Sequence, residues 1–227
     1  MDRAPGLRAE GLGLRRGGRR LFSGLGFEAG PGAALILSGP NGSGKSSLLR
    51  LLAGLARPEA GNLSWQGRPV VDDLDAYQAS LHLVGHQDGL RPILTVAETL
   101  RFWIEVAGEA PADGETGTAA LAALGLEALG RTPCRLLSSG QRRRLALARL
   151  LTAPRPLWLL DEPAVGLDQA ALGLLAGVLA RHRAGGGTII LSTHQPLDLP
   201  DAITLDLADF RPALSPAATA DLVWDGI

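Results

Sequence analysis

The sequence predicts an α/β fold in which buried strands carry a phosphate-binding loop at the edge of a sheet. Three observations lead there. The short apolar run Ala33-Ala34-Leu35-Ile36-Leu37 precedes Gly39-Pro40-Asn41-Gly42-Ser43-Gly44-Lys45-Ser46-Ser47, and the helix formers of 48–53 follow. This is the strand, loop, helix order that a Gly-x4-Gly-Lys-Ser motif needs. A second apolar run, Leu157-Trp158-Leu159-Leu160, ends in Asp161-Glu162, and a third, Thr188-Ile189-Ile190-Leu191-Ser192, follows one helical stretch later. Strand-length runs separated by helical patterns are the signature of a parallel α/β core.

In chain order, residues 7–14 and 21–29 read as two strands joined by the turn at Gly17-Gly18, and Gly30-Pro31-Gly32 leads into the loop strand. These form an N-terminal antiparallel β subdomain. The helix of 45–53 stops at Gly54. Residues 61–67 form a short strand and turn, and 81–85 a further strand that Gln87 leaves. Thr95-Val96-Ala97-Glu98 is a capping box, opening a helix that passes Phe102 and Trp103 and ends near Gly108. A loop rich in Ala, Pro, Gly and Asp follows, then an alanine-rich helix to Leu124 and a strong helix over 142–151. Residues 88–150 are therefore expected to form an α-helical subdomain inserted between strands, within one domain spanning 1–227. Residues 170–182 are helical, 202–207 form an edge strand, and the tail from Pro212 carries little signal.

Composition excludes several classes. Of 227 residues, 46% are hydrophobic and 20% charged, the balance of a globular chain. A net charge of -1 leaves no electrostatic footprint for nucleic acid. The arginine clusters Arg15, Arg16, Arg19, Arg20 and Arg142, Arg143, Arg144 are expected to be mostly solvated or ion-paired. Cys134 stands alone, which points to a reducing compartment. No run approaches the ~20 apolar residues of a membrane helix, and Met1-Asp2-Arg3-Ala4-Pro5 lacks a signal-peptide core.

The chemistry follows from residue types. Glycines let backbone N–H groups converge on an anion, and the following helix adds its positive end. Lys45, the only lysine in the chain, supplies a compact ammonium for β- and γ-phosphates. Ser46 offers a hydroxyl to Mg²⁺, and Asp161, at a strand end, a carboxylate for the same ion. Glu162 is placed to orient or deprotonate water. Small residues before a helix at Leu137-Ser138-Ser139-Gly140-Gln141 make a second anion site.

Taken together, the phosphate loop, Gln87 after a strand, the Leu-Ser-x-Gly-Gln signature, Asp161-Glu162, Gly166-Leu167-Asp168 and the late His194 resemble the ATP-binding cassette (ABC) ATPases, in the order that family shows them. The resemblance implies a P-loop NTPase cassette with a RecA-like core, using ATP and Mg²⁺ as a homodimer of cassettes. It implies that Gln87 touches Mg²⁺ and the attacking water. Ser138, Ser139, Gly140 and Gln141 then grip the γ-phosphate of ATP held by a second cassette, Asp168 links the two sites, and His194 contacts γ-phosphate and Glu162. Two departures stand out. Ser139 replaces the commonest Gly, bringing a Cβ to a tight approach. No aromatic lies in Leu14-Arg15-Arg16-Gly17 to stack on adenine, which leaves Arg16 as the planar substitute.

The flanks Arg20-Leu21-Phe22-Ser23-Gly24-Leu25, Trp65-Gln66-Gly67, Gly85-His86-Gln87 and Thr193-His194-Gln195-Pro196-Leu197 are similar to the ATP-binding subunits of the haem exporter of c-type cytochrome maturation. That likeness implies a peripheral subunit on the cytoplasmic face of the inner membrane. Its partners would be an integral membrane subunit (CcmB-like) and further haem-handling maturation proteins, with no nucleic acid. ATP hydrolysis would drive haem export or release of a haem-loaded chaperone. Leu90, Pro92, Phe102 and Trp103 are expected to line the groove for the membrane subunit. An ABC subunit for another cargo, such as lipoprotein release, would carry the same catalytic residues. Also open at this point are a non-transport ABC protein and a regulatory module without turnover.

Overall fold

The computed structural model describes residues 6–108 and 115–211. The expected loop after Gly108, the tail from Pro212 and the first five residues lie outside them. Two sheets organise the chain. Strands β1 (Leu7–Arg16), β2 (Arg19–Ala29), β4 (Ala60–Trp65) and β5 (Arg68–Pro69) form an antiparallel sheet in the order β2-β1-β4-β5. Strands β3 (Ala34–Ser38), β6 (Leu81–Val84), β7 (Leu157–Asp161), β8 (Thr188–Ser192) and β9 (Ile203–Asp206) form a parallel sheet in the order β6-β7-β8-β3-β9. The short β9 lies at the edge, as expected, with Ile203 exposed.

The parallel sheet is buried on both faces, and the period of two along its strands assigns each side chain. Leu157 and Leu159 of β7 pack with Leu35, Leu37, Ile190 and helix α1 (Lys45–Leu52), toward the antiparallel sheet. Trp158 and Leu160 face the other way, onto Ile189, Leu191 and helix α6 (Gln169–Ala184). The same cluster continues into the helices that lie between β6 and β7 in sequence: α3 (Val96–Val106), α4 (Glu115–Ala123) and α5 (Ser139–Ala148). Leu100, Leu121, Leu124 and Leu145 carry it, with Cys134 buried among them. Trp103 packs half-buried against this core, whereas Phe102 is exposed beneath the Arg91 guanidinium, 5.2 Å from its ring centre. Of the two aromatics proposed for docking, Phe102 is the surface residue.

Two local outcomes differ from the expectations. The helix expected over 142–151 begins at Ser139, because Ser138 Oγ accepts from the Gln141 N–H and Gln141 Oε1 accepts from the Ser138 N–H, a closed capping box. Its far end tightens into a 3-10 turn over Arg149–Leu151. Helix α2 (Leu74–Ala79) has no counterpart in the sequence reading. It is six residues long, too short to form on propensity. Tertiary contacts hold it: Asp73 caps it, and the Tyr77 hydroxyl donates to the Leu52 carbonyl.

What positions the site is the level termination of parallel strands. Asp161 pairs with Ser192 and Leu37 with the same Ser192, while Val84 pairs with Leu160. The loops after β3, β6, β7 and β8 therefore leave the sheet along one edge, where ligands bind in open parallel sheets.

Candidate functional site

Each loop arrives at that edge for a local reason. Gly44 ends the phosphate loop at φ 107, a left-handed conformation that other residues resist, and its missing Cβ leaves room for Leu21 and Phe22 of β2. Helix α1 starts one residue later, so its N–H groups point into the loop. Lys45 is nearly buried; its ammonium donates to the Gly39 carbonyl at 2.6 Å and to the Pro40 carbonyl at 3.4 Å. Ser43 is buried beneath the loop with its hydroxyl unpartnered among the described residues.

A cleft of about 600 Å³ opens above this loop. Asn41, Gly42, Gly44, Lys45, Ser46 and Ser47 line it on one side, and Asp161, Glu162 and His194 on the other. Arg16 and Leu21, from the tip of the β1–β2 hairpin, close one end, and the Arg16 guanidinium donates to Ser47 Oγ at 3.2 Å. The hairpin tip is held in place by Glu59, which accepts from both Arg15 and Arg20. Arg20 and then Arg15 stabilise the ionised carboxyl, which drops from its ordinary 4.5 to about 2.

The acidic pair is tightly constrained. Ser192 Oγ donates to Asp161 Oδ1 at 2.7 Å and accepts from the Glu162 N–H at 3.1 Å. Glu162 holds φ 51, a left-handed backbone costing roughly 1–3 kcal/mol in a residue with a Cβ. That turn redirects the chain out of β7 and points the carboxylate at His194. Asp161 and Ser46 face the same cleft and offer only oxygen, a donor set that suits a hard divalent cation.

Arg143 is ion-paired, with Asp88 Oδ1 at 3.2 Å, but not on an outer face: it is 4% exposed. Its guanidinium reaches the backbone of the acidic pair and of the loop after β6. Arg142 and Arg144, by contrast, donate to nearby carbonyls, those of Leu137, Leu124 and Gly125.

A second, smaller cleft of about 190 Å³ is lined by Ser138, Ser139, Gly140, Gln141 and Asp168. Ser139 occupies the first turn of α5 and is not among the positive-φ residues, so its Cβ costs the backbone no strain. The tight approach is at Gly140, where a Cβ would come within 2.7 Å of the Gly166 carbonyl oxygen. Asp168 Oδ1 accepts from the Ala171 N–H and caps α6. The two clefts share no residue. Gln87 is exposed and lines neither; its neighbour His86 lines the larger one. Sequence reasoning missed Ser192 and Arg143. Ser192 had a readable signal, a hydroxyl ending the strand beside Asp161; Arg143 had none, being the middle of three arginines.

Comparison with known proteins identifies the family. A family model described as ABC transporter matches residues 22–165. The chain is 50% identical over 206 residues to the cytochrome c biogenesis ATP-binding export protein CcmA of Paramagnetospirillum magneticum, covering 90% of this chain and 95% of that protein. It is 51% identical over 212 residues to the protein of the same name from Rhodospirillum rubrum, covering 93% and 89%. The solved structure of an ABC transporter's ATP binding subunit superposes with a TM-score of 0.75 at 26% identity, over 83% of this chain and 79% of that one.

Proposed function

The chain belongs to the ABC transporter family, and from that premise we propose that it is the ATP-hydrolysing subunit of a c-type cytochrome biogenesis exporter. One observation carries the catalytic part: Lys45 and Ser46 face Asp161, Glu162 and His194 across a single cleft. Triphosphate would lie along the loop, its charge met by α1 and Lys45. Ser46 and Asp161 would hold Mg²⁺, which when bound neutralises charge on the phosphoryl oxygens. Glu162 takes the proton from water as its oxygen attacks the γ-phosphorus, and the bond to the ADP oxygen breaks. His194 holds the Glu162 carboxylate in line.

The signature cleft is where a second copy would act. Its capped helix N-terminus presents Ser138 and Gly140 outward, and it is separate from the loop cleft of its own chain. Two chains related by a two-fold axis would bring each signature onto the other's loop, giving two equivalent composite sites. ATP then selects the closed pair by differential affinity, and hydrolysis releases it.

Residues 1–227 are taken as one cassette, with the helices of about 88–150 as the part that meets a CcmB-like membrane subunit. Among the described residues no helix is long and apolar enough to cross a membrane, and attachment to the inner membrane would come from that partner. Affinity purification of the full-length chain from membranes is the test. Recovery of an integral cytochrome-maturation subunit, with phosphate release from Mg-ATP that Lys45→Ala abolishes, is expected. Recovery of a lipoprotein-release permease instead would overturn the cargo, and hydrolysis untouched by Lys45→Ala would overturn the site.

A further inference from the structure

We infer that Arg143 is a positioning residue for hydrolysis, a buried fork that fastens the signature helix to the acidic pair and to the loop after β6; the inference rests on the ATPase reading above. Its Nη2 donates to the carbonyls of Asp161 at 2.6 Å and Glu162 at 2.9 Å, and its Nε to the Pro163 carbonyl at 3.4 Å. Its Nη1 donates to the Gly85 carbonyl at 2.9 Å and to Asp88 Oδ1 at 3.2 Å. All three guanidinium nitrogens are therefore engaged, and Asp88 neutralises a charge that is 5% exposed.

The three carbonyls of Asp161, Glu162 and Pro163 are consecutive and flank the left-handed Glu162. A planar fork that fixes them fixes the direction in which the Glu162 carboxylate leaves the chain. Lysine, with one donor centre, cannot span them. Gly85 and Asp88 bracket His86, which lines the nucleotide cleft, and Gln87, which does not. Arg143 itself stands on α5, whose first turn is the signature. One side chain thus joins the surface that meets the second copy, the general base and the loop leading to helix α3. Displacement of α5 moves the Glu162 backbone with it, so the base is aligned only when the signature helix is seated.

The test measures kcat, KM and equilibrium Mg-ATP affinity in the full-length chain assembled with its membrane partner. Arg143→Gln is expected to lower kcat about 10²-fold, the cost of misplacing a catalytic group by about an ångström, with KM and affinity within about threefold of wild type. Arg143→Lys should recover less than about a tenth of the lost rate, because the fork geometry is gone. Asp88→Asn, at a partly exposed position, should fold and lower kcat in the same direction by about tenfold. A folded Arg143→Gln with kcat near wild type, or one losing nucleotide affinity in step with kcat, overturns the inference. If Arg143→Gln does not accumulate folded, Asp88→Asn at wild-type kcat overturns it. A wild-type complex that does not hydrolyse Mg-ATP removes the underlying ATPase reading, and this inference with it.

Discussion

Glu162 offers both carboxylate oxygens to His194: Oε2 accepts from the backbone N–H at 3.1 Å, and Oε1 lies 3.5 Å from the ring Nε2. The backbone contact survives any substitution of the histidine except proline, which lacks the N–H, while the ring contact does not. The carboxylate is largely sheltered and the ring half-exposed.

Replacing the base should therefore cost more than replacing its partner. Glu162→Gln is expected to lower phosphate release by about 10²–10⁴-fold, the range for general-base loss, with Mg-ATP binding retained. His194→Ala should lower it less, since Oε2 keeps its amide. Steady-state phosphate release and equilibrium nucleotide binding decide this. Equal rates for wild type and Glu162→Gln would show that another group accepts the proton.

Ser192→Ala removes a hydroxyl that is fully buried between Asp161 and the Glu162 amide. The Glu162 N–H keeps the Ser192 carbonyl at 3.1 Å, so the loss falls on the Asp161 carboxylate, and a buried group left unsatisfied costs about 1–3 kcal/mol. Urea denaturation should show a loss of that size, and turnover should fall because the acidic pair loses its brace. Ser192→Thr, adding only a methyl, should retain more of both. Unchanged stability and rate in Ser192→Ala would remove the bracing role.

Gly140→Ala should separate the two clefts functionally. The added Cβ meets the Gly166 carbonyl, displacing the turn that leads to Asp168. Mg-ATP should still bind the loop cleft, which shares no residue with the signature cleft. ATP-dependent association of two chains should weaken about tenfold or more, consistent with overpacking costs of 1–3 kcal/mol. Light scattering with Mg-ATP reads this. Association at wild-type concentration would mean that the signature is not an interface.

Stability should depend on pH through two imidazoles, His82 buried and His182 half-buried. Burial lowers both His82 and His182 from 6.5 to about 4. His82 lies in β6 with Nε2 against the Ala153 carbonyl, and His182 stacks on Trp158 at 3.6 Å. The unfolded chain takes up protons at higher pH than the folded one. This contribution is thus complete above pH 6.5 and is lost as pH falls from 6.5 towards 4. For His82 it amounts to about 3 kcal/mol, and for the partly solvated His182 to less. Urea midpoints at about pH 7.5, above the window, and at about pH 5, inside it, should differ in wild type. The difference should shrink in His182→Phe, which keeps the stack on Trp158. An identical pH slope in that variant would exclude His182.

The sequence by itself determined the elements whose signals lie within a turn or a strand of one another. Gly44-Lys45-Ser46 announced the loop because glycine, ammonium and hydroxyl must be neighbours there. Thr95 and Glu98 announced a capping box that the structure closes at 2.8 Å and 3.2 Å. The two-sided burial of β7 was readable in four consecutive apolar residues before Asp161. Tertiary structure alone decided that Arg143 is buried, because its partners stand 18 to 58 positions away and nothing in a run of three arginines marks the middle one. It alone decided that a Cβ at Gly140 would meet backbone, since that depends on where the Gly166 turn is packed. It alone separated the loop cleft from the signature cleft. Spacing along a chain reports which groups can act together locally; distance across a sheet edge is set by strand order, which depends on how the crossover connections pack onto the sheet.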